Sequence, residues 1–123
     1  MTPQIFNSFS QSVDRLAEVL KQPKSVVIRD SAIKRFELTF ELAWKSTKAY
    51  LANKDVVCLS PRDCLMASFR LGLIPDDPRW LRMIEDRNLS VHTYNEKLAD
   101  DVYGRLGEYL ILFGELKKSL QNG

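Results

Sequence analysis

The sequence predicts an all-α fold, an up-and-down four-helix bundle with one additional short helix and no sheet. Three observations carry that reading. Apolar residues recur at alternating steps of three and four in the long segments of the 123-residue chain, which is the period of one helix face. Serine, aspartate, proline and glycine stand where those segments should start and stop. No segment shows the strict apolar-polar alternation of a half-buried strand, and no repeat or low-complexity tract appears.

The first helix runs from about Pro3 to Lys21, with Phe6, Phe9, Val13, Leu16 and Leu20 on one face. Gln22-Pro23-Lys24 interrupts it, and the chain reopens near Ser25 or Asp30 into the longest helix, ending about Asn53. There Phe36, Thr39, Phe40, Ala43, Trp44, Thr47, Tyr50 and Leu51 keep the helical period, while Leu38 and Leu42 form a second apolar row. That second row either widens the core face or marks a subunit contact. Glu37, Glu41, Lys45 and Lys48 make a polar strip that reads as solvated, with Glu41 and Lys45 in the favourable i, i+4 order. Ser60-Pro61-Arg62-Asp63 opens a short helix bearing Leu65, Met66 and Phe69, which Gly72 stops. Asp77 and Pro78 open the next helix, whose face is Trp80, Met83, Ile84 and Arg87. Thr93 and Glu96 are spaced as a capping box, predicting a final helix with Tyr94 at its first position. Its apolar row is Leu98, Val102, Leu106, Tyr109, Phe113, Leu116 and Leu120.

Composition bounds the function. A chain of 123 residues reads as a single domain, 1–123, large enough to bury a core without disulfides or a structural metal. Hydrophobic content of 45% with 28% charged residues is that of an ordinary soluble globular protein. A formal net charge of +2 says little by itself; without a strong basic excess, any RNA contact is expected to be local and not a wide electrostatic grip. Cys58 and Cys64 form no C-x-x-C pair, and one histidine cannot complete a common zinc set with them. They read as free thiols in a reducing cytosol. Met1 to Ser10 lacks the pattern of a signal peptide, and the longest apolar run, Tyr109 to Phe113, is too short for a bilayer. The expectation is a cytoplasmic protein without membrane contact.

The chemistry-bearing stretch is Glu85 to Tyr94, which holds His92, the only histidine, five residues after Arg87. A guanidinium at the end of an apolar helix face, an imidazole at a helix junction and the free N–H groups of a helix start together suit a phosphodiester. The plainer reading makes Arg87 a snorkelling surface residue or an ion pair of Asp86 or Glu85. Tyr94 can equally pack four residues before Leu98 on the same face. Arg79, Arg82 and Lys97 could flank a cleft, although such charges mostly face solvent.

Larger motifs add to this. Ala32-Ile33-Lys34-Arg35-Phe36-Glu37-Leu38-Thr39-Phe40-Glu41-Leu42-Ala43-Trp44-Lys45, Ser60-Pro61-Arg62, Gly72-Leu73-Ile74 and Asp86-Arg87-Asn88-Leu89-Ser90-Val91-His92-Thr93-Tyr94 resemble the nucleotidyltransferase substrate-binding protein family. That family lies within the HEPN superfamily of helical bundles, encoded beside minimal nucleotidyltransferases. The resemblance implies a metal-independent endoribonuclease toxin, active as a homodimer on cellular RNA such as tRNA and needing no cofactor. It implies Arg87 and His92 as the catalytic pair, Asn88 as the supporting polar residue, and a minimal nucleotidyltransferase antitoxin that transfers AMP to Tyr94. An older description of the family implies instead a non-catalytic subunit that binds substrate for the nucleotidyltransferase. A helical dimerisation module with a degenerate site is the third possibility. Cleavage through the 2'-hydroxyl needs a base, an acid and positive charge on the phosphorane, and one chain offers one imidazole. A twofold dimer juxtaposing two copies of His92 would supply both.

Overall fold

The computed structural model describes residues 3–122. It contains Pro3–Leu20 (α1), Val26–Ala52 (α2), Pro61–Arg70 (α3), Pro78–Leu89 (α4) and Glu96–Asn122 (α5), with one 3-10 turn, Ser90–His92, between α4 and α5. No strand occurs among the described residues, and no described helix is long and apolar enough to cross a membrane. Met1, Thr2 and Gly123, the ends of the predicted 1–123 span, lie outside the described residues.

Local chemistry places the helix ends. Ser25 and Ser60 each accept, at 3.1 Å, the N–H of the residue three further on. Asp77 accepts the Arg79 N–H at 2.9 Å, and proline follows it at the first helical position. At the end of α3, Gly72 has φ +71°, and the Leu73 N–H reaches back to the Ser68 carbonyl at 2.9 Å. That closure needs a left-handed residue, which glycine supplies without a Cβ penalty. Asp55 (φ +62°) closes α2 in the same way, with the Val56 N–H on the Leu51 carbonyl at 2.9 Å.

Helices α1, α2, α4 and α5 alternate in direction. Thr39 and Ser46 of α2 donate to the carbonyls of Ser12 and Ile5, so α1 runs antiparallel to α2. Asp86 and Arg82 of α4 meet Arg105 and Glu108 of α5, so these two are antiparallel as well. Arg29 near the start of α2 meets Glu96 and Asp100 at the start of α5, which makes α2 and α5 parallel. Helix α3 bridges α2 to α4 at the opposite end. The predicted apolar rows meet in one core, where Phe36 stacks on Tyr109 (centroids 5.6 Å apart) and Phe113 receives the edges of Phe9 and Trp80.

Two expectations are corrected, and one open alternative is divided between its two readings. Thr93 does not cap α5: its hydroxyl donates to the Ser90 carbonyl at 3.1 Å, while Asn95 accepts the Leu98 N–H at 3.1 Å. The helix therefore starts at Glu96, and Tyr94 stands in the turn before it. Cys58 and Cys64 are not free thiols but a disulfide, with Cα atoms 5.1 Å apart. After Asp55 the chain leaves helix, and burial alternates along it. Val57 and Leu59 are exposed, and Cys58 is tucked in a small buried cluster with Cys64, Leu51 and Ala67. The second apolar row of α2 divides: Leu42 packs against the core, and Leu38 remains 51% exposed.

Candidate functional site

Asp86 fixes the end of α4. It is only 2% exposed, yet it carries a charge into the interior, and the surrounding groups compensate it. Arg105 grips it through Nε and Nη2 at 2.7 and 2.8 Å, a bidentate pairing, and the buried Tyr109 hydroxyl donates to the same carboxylate. Burial, and then the hydrogen bond to Asp86, raises the Tyr109 phenol above its ordinary range; Asp86 likewise raises the Arg105 guanidinium. The predicted pairing of Arg87 with Asp86 or Glu85 is thus corrected, because Asp86 points inward to α5.

Arg87, one residue on, turns the other way and donates through Nη2 to Glu41 Oε1 on α2 at 3.2 Å. Its side chain is 27% exposed, and its buried Nε finds no hydrogen-bond partner among the described residues. Glu41 also accepts from the Trp44 indole N–H at 3.3 Å, and Lys45 lies 3.8 Å away. The strip expected to be solvated therefore contains a residue committed to the site. Lys34, Arg35, Glu37, Leu38, Glu41 and Arg87 line one open groove on this face.

Beyond Arg87 the backbone tightens from α to 3-10. The Ser90 hydroxyl donates to the Arg87 carbonyl at 2.6 Å, and Thr93 closes back on Ser90. Ser90 is buried, which pins the turn, while Asn88 and His92 are exposed on it. His92 Nδ1 lies 3.3 Å from Tyr94 Oη, with the two rings edge to face at 5.8 Å. This contact leaves Nε2 as the nitrogen free for another group. The tyrosine is 81% exposed and does not pack on the core as the plainer reading expected. The structure thus joins His92 to Tyr94 and Arg87 to Glu41. No hydrogen bond links Arg87 to His92 among the described residues, and Asn88 contacts neither through one.

Sequence reasoning missed Glu41, Arg105 and Tyr109 as partners of the site. A signal existed for Tyr109, since a tyrosine inside an apolar row needs a polar group for its hydroxyl. Nothing in the spacing of Glu41 separated it from Glu37.

Residues 4–122 match the family described as nucleotidyltransferase substrate binding protein like. The chain belongs to that family. A crystal structure from Thermus thermophilus shares this family member's fold at a TM-score of 0.86 and 37% identity, covering 91% of this chain and 98% of that one. A Haemophilus influenzae structure, described as the fold of a substrate binding domain of a nucleotidyltransferase, superposes at a TM-score of 0.70 with 28% identity. It covers 96% of this chain and 95% of its own. Probable ribonuclease HepT of Haemophilus influenzae is 33% identical over 85 residues, which is 65% of this chain and 58% of that relative's length. The family read from the sequence motifs, with its all-α bundle, is therefore the family found.

Proposed function

We propose that this family member is a HEPN-type endoribonuclease toxin of the cytoplasm, acting as a homodimer on a cellular RNA such as tRNA. A partner minimal nucleotidyltransferase restrains it. The observation that carries the proposal is the geometry at the end of α4: an arginine held by a single carboxylate, followed by an exposed histidine whose Nδ1 is engaged and whose Nε2 is open. Similarity to a relative named as a ribonuclease supports it.

Chemically, Nε2 of one His92 takes the proton of the 2'-hydroxyl as that oxygen attacks the adjacent phosphorus. The protonated His92 of the second copy gives its proton to the departing 5'-oxygen, leaving a 2',3'-cyclic phosphate and a 5'-hydroxyl. Arg87 holds the non-bridging oxygens through the terminal nitrogens of its 27% exposed side chain and stabilises their charge. Asn88 orients the RNA. Tyr94 is the modification site: its hydroxyl gives up its proton to solvent as the oxygen attacks the α-phosphorus of ATP and pyrophosphate leaves, so that a negatively charged phosphodiester is attached at the oxygen that lies 3.3 Å from His92 Nδ1 in the unmodified chain. The exposure of Tyr94 leaves room for that transfer.

A second reading, a non-catalytic subunit that presents substrate to the nucleotidyltransferase, is favoured by the family's own description. Incubating purified protein with total RNA in EDTA separates them. The ribonuclease cuts the RNA to cyclic phosphate ends, and His92→Ala and Arg87→Ala each lower the rate by at least about 100-fold. An unmodified dimer that leaves RNA intact would establish the binding subunit instead.

A further inference from the structure

We infer that the disulfide of Cys58 and Cys64 is a redox switch acting on Arg87: intact, it leaves the guanidinium open to an anion, and reduced, it lets Glu41 close over the guanidinium. The inference rests on the proposed role of Arg87 for its effect on RNA, and on geometry alone for its effect on Arg87.

The observation that carries it is a half-made ion pair. Arg105 grips Asp86 through Nε and Nη2 together, at 2.7 and 2.8 Å, the two-pronged form that suits a guanidinium and a carboxylate. Arg87 meets Glu41 through Nη2 alone, at 3.2 Å, and its buried Nε has no partner among the described residues. A buried N–H left unpaired costs free energy, so something withholds the second prong. The oxygen that would supply it, Glu41 Oε2, accepts instead from the Trp44 indole N–H at 3.3 Å. Lys45 stands 3.8 Å from that oxygen and is half in solvent, so the indole is the group that holds it away.

The disulfide seats the indole. Cys58, Cys64, Leu51 and Ala67 form a small buried cluster, and Trp44 packs against it. Trp44 and Cys64 also line one apolar cavity with Thr47, Pro61, Leu65 and Ser68, which leaves space beside the ring. Two thiols cannot stay at bonding distance, so reduction drives the sulfurs apart and unseats the ring. Glu41 Oε2 is then released to Arg87 Nε, and the pair closes as Arg105 and Asp86 do.

The bond can be reached through the link before α3. No hydrogen bond ties Val57, Cys58 or Leu59 to the rest among the described residues, and Val57 and Leu59 are exposed. Opening of that link presents the Cys58 sulfur to a dithiol. One thiolate of the dithiol attacks Cys58 Sγ and Cys64 leaves; the second thiolate attacks the first sulfur of the reagent, and Cys58 leaves as the reagent closes its own disulfide. Each protein thiolate takes up a proton that a reagent thiol gave up, and two electrons pass to the pair. The reverse exchange returns them. In the reducing compartment proposed for this family member, Arg87 rests covered, and oxidation uncovers it.

Labelling of Arg87 by phenylglyoxal, followed by peptide mass spectrometry, tests this without RNA. The protein is equilibrated with dithiothreitol or with the cyclic disulfide of that reagent. Iodoacetamide should then alkylate both cysteines in the first sample and neither in the second. Arg87 of the oxidised native chain should react at least about fivefold faster than that of the reduced chain. Trp44→Phe, which keeps a ring and removes the indole N–H, should react slowly in both samples. The double variant Cys58→Ser with Cys64→Ser should do the same, with its helical content confirmed by circular dichroism. Equal rates in oxidised and reduced native protein, a Trp44→Phe chain that keeps the difference, or cysteines alkylated in the oxidised sample would each overturn the switch. A redox response at Arg87 in a protein that never cuts RNA would sink the ribonuclease and leave the switch standing.

Discussion

Asp86 and Arg87 are adjacent in the chain and opposite in purpose. The first is spent on structure, held by Arg105 and Tyr109 in the interior; the second is left facing a groove with one carboxylate for company. Anchoring Asp86 to α5 fixes the rotation of the last turn of α4, and that rotation aims Arg87 at α2. Replacing Asp86 by Asn removes the charge that Arg105 and the Tyr109 hydroxyl are arranged around. The expected cost is about 2–4 kcal/mol, tempered by the partial exposure of Arg105. Tyr109→Phe keeps the ring stacked on Phe36 and deletes one charge-assisted hydrogen bond, for about 1–2 kcal/mol. Urea unfolding monitored by circular dichroism measures both, as a lowered midpoint at unchanged slope. If Asp86→Asn unfolds at the native midpoint, the anchoring role is wrong.

At the level of elements, the sequence and the structure agree where periodicity is long and diverge at the junctions. Helices α1, α2 and α5 bury the apolar rows read from their spacing because a row of five or more residues can satisfy only one helical face. Glu41 is legible as part of a family motif but not as the partner of Arg87, since α4 reaches α2 through tertiary packing that local spacing does not encode. The junction before α5 departs from its spacing for a physical reason: Thr93 could cap the helix or close the preceding turn, and the Ser90 carbonyl draws its hydroxyl away. The pairing of Cys58 with Cys64 is hidden because no local pattern shows that the link from α2 to α3 brings their Cα atoms to within 5.1 Å. That disulfide closes a loop so short that its entropic gain is modest, about 2 kcal/mol in the chain-entropy account. Reduction should therefore loosen the α2–α3 link and lower the unfolding midpoint while the bundle stays folded. Helical content measured before and after a reductant that reaches the buried pair checks this. Collapse of the whole helical signal would mean that the disulfide holds the core itself.

Over the whole molecule, charge is used to tie helices to one another more than to give an overall sign. Arg29, almost fully buried, joins α2 to Glu96 and Asp100 of the parallel helix α5, and Lys24 adds a second cation to Asp100. At the other end Arg79 binds Asp77, the residue that starts α4. Two carboxyls are consequently held below their usual range: Asp77, chiefly by the Arg79 side chain and also by its backbone N–H, and Asp100 by Lys24 and then Arg29. A lowered carboxylate pKa means that the unfolded chain takes up a proton first as pH falls. Stability from these two groups is therefore complete above the ordinary aspartate range near about 4 and is lost progressively below it. Tyr109 sets the alkaline edge with the opposite sign. Its phenol is raised by burial and by Asp86, so the unfolded chain loses its proton first above about pH 10, and stability declines from there. Unfolding midpoints should form a plateau between these limits. Asp100→Asn should flatten the acid side and leave the alkaline side alone, whereas Tyr109→Phe should do the reverse. Because Asp100 is about half exposed, added salt should shrink the acid effect more than the alkaline one. An acid limb that Asp100→Asn and Asp77→Asn together fail to change would show that other carboxylates govern the bundle's response to pH.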